Sequence, residues 1–316
     1  MDIATNIPAA GITDPGRVRE SNEDSMLVDV ESGLFAVADG MGGHKAGEVA
    51  SRLAIETLAE FVRASLRDSG ITGPFGFNTS LAFEANQLKS AVLLANQQIR
   101  HLATQRASLN GMGSTIVVLI ARDEGSYFAN VGDSRLYRWR GGALHQLSED
   151  DSWASSMLKA GADPEFVQTH AMRHMLTRAL GSDASLDVQV TPVPVEPGDL
   201  LLLCSDGLYG PLGDSGMAAV MAQFPATLDE TVASLVRAAN DAGGPDNVTA
   251  LLVHPPAVRA DRPRPSLAGE RGQAMSEYLV TAGVLVAVGL VAVKILMDGF
   301  YTLVDRIAYQ LQFMAP

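Results

Sequence analysis

The chain has 316 residues, room for about two domains of ~150 or one larger domain with an appendage, and 47 % apolar with 19 % charged residues exclude a disordered chain. Glycine and proline together make 45 residues, which excludes collagen-like or low-complexity character, and the single cysteine, Cys204, excludes a disulfide framework or thiolate cluster and suits a reducing cytosol. The net charge of −13 is uneven: six basic and five acidic residues follow Pro255, leaving 31 acids against 17 bases before it, a body that repels nucleic acid and has carboxylates to spare for hard cations.

The first 16 residues lack a basic and an apolar region in tandem, so no signal peptide is expected. Residues 34–38 form a short apolar run ending in Asp39-Gly40, the pattern of a buried strand. Residues 46–62 follow with Val49, Leu53, Leu58, Phe61 and Val62 near helical spacing. Residues 69–78 are rich in Gly, Ser, Thr and Asn and read as a loop. A second helix is expected over 81–102, where Leu81, Ala85, Leu88, Val92, Ala95, Ile99 and Leu102 make a core-facing stripe too short for a coiled coil. From Ser114 the period shortens. Residues 114–121, 126–131, 135–139 and 143–147 are β-formers divided by Asp123-Glu124-Gly125 and Gly141-Gly142, and read as an antiparallel meander. Residues 148–180 are more polar, with a short helix expected around 153–159. Two further buried strands lie at 200–204 and 248–253, with helices around 216–223 and 228–239 between them. No internal repeat occurs.

Composition then shifts. Residues 255–272 carry four prolines and four arginines and read as a linker. An unbroken run of apolar residues, Gly and Thr fills 279–293, closed by Lys294. Residues 278–297 suffice to cross a bilayer if Lys294 snorkels; the alternative, a buried core helix, has against it the lack of a polar face over four turns. Arg259, Arg262, Arg264 and Arg271 place the N-terminal side in the cytoplasm, and 298–316 outside as a short amphipathic helix. The expected division is a domain over 1–256, a linker over 257–272 and a membrane segment over 273–316.

Five acidic sites stand at turns or strand ends: Glu23-Asp24, Asp39-Gly40, Asp133, Asp206-Gly207 and Asp246-Asn247. Any one alone reads as a plain turn. As a set, with Asp39, Asp206 and Asp246 each beside a buried strand, they suggest rigidly held carboxylates sharing a pocket. Oxygen ligands without His or Cys select Mg²⁺ or Mn²⁺, and several carboxylates suggest a two-metal site that activates water for attack on phosphorus. Cys204 is followed by Ser-Asp-Gly-Leu-Tyr-Gly, without the Arg of a cysteine-dependent phosphatase, and no Gly-x-Ser-x-Gly elbow occurs. A two-metal nuclease is disfavoured by the acidic body. His170 and His174 read as a surface pair, His44 as a pocket or helix-entry residue, and Cys204 as a core thiol.

In order along 13–253 the chain carries Thr13-Asp-Pro-Gly-Arg-Val-Arg-Glu-Ser-Asn-Glu-Asp24, Phe35-Ala-Val-Ala-Asp-Gly-Met-Gly-Gly-His44, Gly113-Ser-Thr115, Asn130-Val-Gly-Asp-Ser-Arg135, Leu176-Thr-Arg-Ala-Leu-Gly181, Cys204-Ser-Asp-Gly-Leu208 and Gly244-Pro-Asp-Asn247. This ordered set resembles the metal-dependent type 2C (PPM) Ser/Thr protein phosphatases, in particular their bacterial branch. The resemblance implies an α+β fold, a four-layer α-β-β-α sandwich of two antiparallel sheets flanked by helices, here with one C-terminal transmembrane helix. It also implies roles. Asp39 would bridge two Mn²⁺ or Mg²⁺ ions, Asp206 and Asp246 would serve one of them, and Glu23 with the carbonyl of Gly40 the other. Asp133, with Asp206, would hold a weaker third ion. Arg19 would clamp the substrate phosphate and Asp24 would orient the attacking water. Residues 148–180 correspond to the flap beside the site. Met41 departs from the eukaryotic branch, which has a His proposed as general acid there, so protonation of the leaving oxygen must come from bound water or another group. Gly210 stands where relatives carry a polar residue. With every ligand present, an inactive relative is not expected.

Arg271-Gly-Gln-Ala-Met-Ser-Glu-Tyr278, followed by the apolar run, resembles the processing site of Flp-type (type IVb) pilins, in which a prepilin peptidase cuts after the Gly. A plain anchor with Glu277 and Tyr278 at the interface is the alternative. The resemblances together imply phosphorylated proteins as substrates, a cognate Ser/Thr kinase and a forkhead-associated scaffold as partners, the inner membrane as location with the catalytic domain cytoplasmic (soluble if cut near Gly272), and no nucleic acid.

Overall fold

The computed structural model describes residues 7–42, 46–68, 75–223 and 227–257. Two antiparallel sheets lie face to face. One orders β1 (Ala9–Asp14), β11 (Val248–Val253), β10 (Leu200–Cys204), β7 (Arg135–Arg140) and β8 (Ala143–Gln146). The other orders β2 (Asp24–Asp29), β3 (Leu34–Met41), β5 (Ile116–Arg122), β6 (Gly125–Val131) and β9 (Val190–Val193), with the short β4 (Gly113–Ser114) paired to β3. Helices α1 (Ala46–Arg67) and α2 (Phe83–Gln105) cover the second sheet, and α5 (Asp206–Gln223) and α6 (Leu228–Asp241) cover the first.

The central strands are buried on both faces, so their sequences are continuously apolar rather than alternating. Leu34, Ala36 and Ala38 of β3 pack under α1 and α2, while Phe35 and Val37 turn into the core between the sheets. Leu202 and Cys204 of β10 face α5 and α6, with Leu201 and Leu203 facing the other sheet. Cys204 is a buried core thiol, as expected.

Three local expectations change. The 114–147 stretch is no meander. β5 pairs with β6 and β7 with β8, but β6 and β7 belong to different sheets. The chain crosses the sandwich at Gly132–Ser134, where Gly132 has φ 97° and a Cβ would press into Thr115. Helix α5 starts at Asp206, ten residues before the expected start; Pro211 and the break at Gly213 (φ 63°) interrupt the helical pattern of its first half. β1, β2, β9 and the short α4 (Pro164–Thr169) had no clear sequence signal; β9 contains Pro192, tolerated because it is an edge strand. The short helix expected near 153 is α3 (Trp153–Lys159), capped by Ser152.

The expected membrane segment, most of the linker and His44 lie outside the described residues. Among the described residues no helix is long and apolar enough to cross a membrane.

Candidate metal centre

The acidic residues are delivered to one end of the sandwich from both sheets. Asp39, near the end of β3, stands opposite Asp24 of β2 in the strand register. Gly40 N donates to the carbonyl of Glu23 at 3.1 Å. A Cβ on Gly40 would run into the Gly47 carbonyl, and one on Gly47 would run into the Glu23 carboxylate. Two glycines therefore let the first turn of α1 lie directly on the Glu23–Gly40 pair. Gly47 was not singled out from sequence, where a glycine in a first helical turn is a faint signal.

Asn247 fastens the 15–23 loop to this end. Its Nδ2 donates to the carbonyls of Pro15 (3.0 Å) and Ser21 (2.8 Å), and its Oδ1 accepts from Glu23 N at 2.8 Å. Asp24 links the sheets: its Oδ2 accepts from Ser205 Oγ at 2.7 Å and Thr249 Oγ1 at 2.6 Å. Asp133 sits in the crossing turn, and Tyr209 Oη donates to its carbonyl at 3.0 Å. Thr115 supports Asp39 by donating its N–H to the Asp39 carbonyl at 2.8 Å and accepting from Asp39 N at its hydroxyl at 2.9 Å. Asn247, Ser205, Thr249, Thr115 and Tyr209 are neutral residues whose value lies in contacts made 19 or more positions away along the chain, so sequence spacing could not reveal them.

At the mouth, Arg19 Nη2 donates to Asp246 Oδ2 at 2.7 Å. Asp246 raises the Arg19 pKa above its ordinary value, and Asp39 and Glu23 add to the effect, so the guanidinium faces the acidic cluster.

Electrostatics show a shared pocket. Burial, then Asp24, Asp206, Asp133 and Asp246, push Asp39 well above the usual carboxylate range. Asp24 rises to about 7 through burial, against the two hydroxyl donors. Asp133 also rises to about 7, through burial and the charge of Asp206. Asp206 is raised by burial and Asp246, with His174 opposing, and Glu23 is raised by burial, with Arg19 opposing. The expected site residues Arg19, Glu23, Asp24, Asp39, Gly40, Asp133, Asp206 and Asp246 thus come together.

A protein alone pays heavily to keep such charges together; a hard divalent cation offsets them. The donor set fits one. Asp206 Oδ1 is buried with no hydrogen-bond partner, and every candidate donor is oxygen. Among the described residues no three Asp, Glu, His or Cys side chains already form a closed ligand cluster. The Asp246 carboxylate is engaged at the mouth: its Oδ2 accepts from Arg19 and its Oδ1 accepts from Asn247 N at 2.9 Å.

His170 and His174 do not pair, because α4 ends at Thr169. His170 stacks on Trp153 with ring centroids 4.3 Å apart. His174 instead reaches the site through its field on Asp206. Both belong to the flap, which is pinched at its base by Ser152–Leu176 pairing and by Arg178 on Asp151.

Residues 17–247 match the family model for protein phosphatase 2C. The chain is 35 % identical over 249 residues to the serine/threonine phosphatase stp of Listeria monocytogenes, covering 76 % of this chain and 93 % of that protein. It is similar to the crystal structure of the Mycobacterium tuberculosis serine/threonine phosphatase PstP/Ppp, with TM-score 0.68, 32 % identity, and 80 % and 99 % of the two chains covered. It is also similar to the catalytic domain of a PstP in complex with two manganese ions, with TM-score 0.65, 33 % identity, and 78 % and 97 % covered. With its two-sheet sandwich, its convergent carboxylates and these likenesses in hand, the chain belongs to the protein phosphatase 2C family, the metal-dependent (PPM) serine/threonine protein phosphatases that work with two Mn²⁺ or Mg²⁺ ions.

Proposed function

We propose that this chain hydrolyses phosphoserine and phosphothreonine on proteins at the cytoplasmic face of the inner membrane, with Asp39 as the hub of its metal centre. The observation that carries the site assignment is the place of Asp39, half-buried near the end of β3, opposite Asp24 in the strand register and within the fields of Asp24, Asp206, Asp133 and Asp246. Asp39 would be shared by two ions, with Asp206 and Asp246 as further ligands of one and Glu23 with the Gly40 carbonyl as those of the other. Asp133 and Asp206 would hold a weaker third ion. Bound ions supply an activated water and neutralise charge on the phosphate during in-line displacement. Asp24, held by Ser205 and Thr249, orients that water. Arg19, its side chain 55 % exposed, presents a planar fork to the phosphate oxygens at the mouth. Met41 carries no exchangeable proton, so the leaving oxygen is protonated by water or another group.

Hydrolysis of a phosphothreonine peptide tests the assignment. We expect it to need Mn²⁺, to stop with EDTA, and to fall at least about a hundredfold in Asp206→Asn, in line with loss of a group that stabilises the transition state directly. Equal activity in the variant overturns the ligand roles.

On the sequence of 255–316, the domain is tethered by the 278–297 segment, and it acts on the targets of a neighbouring Ser/Thr kinase. The Gly272-to-Tyr278 pattern favours a second reading, a phosphatase–pilin fusion cut by a prepilin peptidase, whose tail serves a pilus or secretion apparatus. Cells with and without the peptidase, carrying the protein tagged at both ends, separate the two. A soluble N-terminal fragment ending near Gly272 only when the peptidase is present supports the fusion; full-length membrane protein in both supports the permanent anchor.

A further inference from the structure

The Asp133 turn lies between strands of different sheets, so no strand ladder holds it. Gly132–Ser134 leaves one sheet after β6 and enters the other at β7. Its restraints come from outside: Gly132 exchanges hydrogen bonds with Asp151, donating to Oδ2 at 3.2 Å and accepting from the Asp151 N–H at 2.8 Å, and Ser134 Oγ meets Thr115 Oγ1 at 2.7 Å. The remaining restraint is Tyr209 Oη on the Asp133 carbonyl at 3.0 Å. Tyr209 lies three residues after Asp206, within the same first turn of α5.

The phenol ring is itself clamped. The Arg135 guanidinium lies over it, 3.7 Å from the ring centroid. Arg135 is gripped in turn by Asp150, at 2.9 and 3.2 Å from Nε and 2.7 Å from Nη2, and its Nη1 donates to Tyr137 Oη at 2.8 Å. Tyr137 Oη then donates to Asp214 Oδ1 at 2.8 Å, beyond the break in α5. A ring fixed on its face has little freedom to swing, so its hydroxyl sets where the Asp133 main chain lies relative to α5.

We infer that Tyr209 is a positioning residue that fixes the separation of the Asp133 and Asp206 carboxylates, with Arg135 as the clamp that holds its ring. The inference rests on the reading that these two carboxylates share a cation. Burial, and after it the charge of Asp133, push the Tyr209 phenol above its ordinary range, which agrees with the closeness of the two groups. Because Asp150 and Asp151 open the flap, the same clamp ties the flap base to the acidic turn.

Tyr209→Phe keeps the ring under Arg135 and removes only the hydroxyl. Mn²⁺ binding to the full-length chain in detergent, followed by calorimetry and by the Mn²⁺ paramagnetic resonance signal, is compared in the parent, Tyr209→Phe, Asp133→Asn and the double variant. We expect the weakest Mn²⁺ step to weaken about fivefold in Tyr209→Phe, the loss of one neutral hydrogen bond, with the tighter steps unmoved. In the Asp133→Asn background the same substitution should have almost no effect, because the carboxylate it positions is gone. Equal weakening in both backgrounds, or weakening of all steps alike with a lowered Tm, shows a merely structural role and overturns the inference, as does no effect in either. A parent chain that binds no Mn²⁺ overturns the metal-site reading itself, and the inference with it.

Discussion

Removing divalent ions should make this protein less stable as pH rises, the opposite of ordinary acid denaturation. Asp24 and Asp133 both have folded-state values near 7, against an ordinary 3.8. Between about pH 4 and pH 7 the unfolded chain therefore binds fewer protons at these positions than the folded one, and stability falls with rising pH across that window and levels above it. One such carboxyl displaced by roughly three pH units contributes about 4 kcal/mol. The two share neighbours, so we take one group's worth; since part of it is already lost by pH 4.5, the expected loss between pH 4.5 and 7.5 is about 3 kcal/mol. For a domain of this size that is roughly 10 °C in Tm. Thermal unfolding in EDTA across the window is the assay, repeated with excess Mn²⁺. The ions bind only the folded, ionised cluster, so Mn²⁺ should restore stability most at the high-pH end. Asp24→Asn should flatten the EDTA slope. Stability in EDTA that is constant or rises between pH 4.5 and 7.5 refutes the argument that burial and mutual repulsion dominate this pocket.

Gly47→Ala places a methyl against the Glu23 carboxylate and the Gly40 carbonyl, so α1 must shift. We expect about 1–3 kcal/mol of destabilisation and a raised Mn²⁺ requirement, read by urea titration and by Mn²⁺ half-saturation of hydrolysis; a variant matching the parent in both would show that α1 yields freely. Asn247→Ala removes both donors to the 15–23 loop and the acceptor for Glu23 N. Its cost should be about 2 kcal/mol, and because the loop carries Arg19 and Glu23, KM for the phosphopeptide should rise as well. An unchanged KM would separate the loop's anchoring from substrate binding.

Much of the layer structure was legible in the chain because it is a matter of local pattern. The 34–38, 116–121 and 200–204 runs of β3, β5 and β10 are apolar at every position, and only strands covered on both faces need that. The stripes of α1 and α2 are periodic because each helix buries one face. The carboxylates were legible because they are charged residues at the ends of such runs, where charge has no packing purpose.

What the chain by itself determined, then, is the inventory: strands buried on both faces, amphipathic helices and a set of acids with oxygen chemistry. Which sheet each strand joins was decided only in three dimensions. The 125–140 region looks like one hairpin after another, yet β6 and β7 part at Gly132, because pairing partners such as β9 and β10 lie tens of residues downstream and local propensity does not register them. The supports of the site were equally hidden. Ser205, Thr249, Asn247 and Tyr209 are ordinary polar residues until folding brings them to Asp24, Glu23 and Asp133. Hydrogen bonds depend on position and angle over a few ångströms, so contacts between residues as far apart as 24 and 249 exist only once the two sheets have closed on each other.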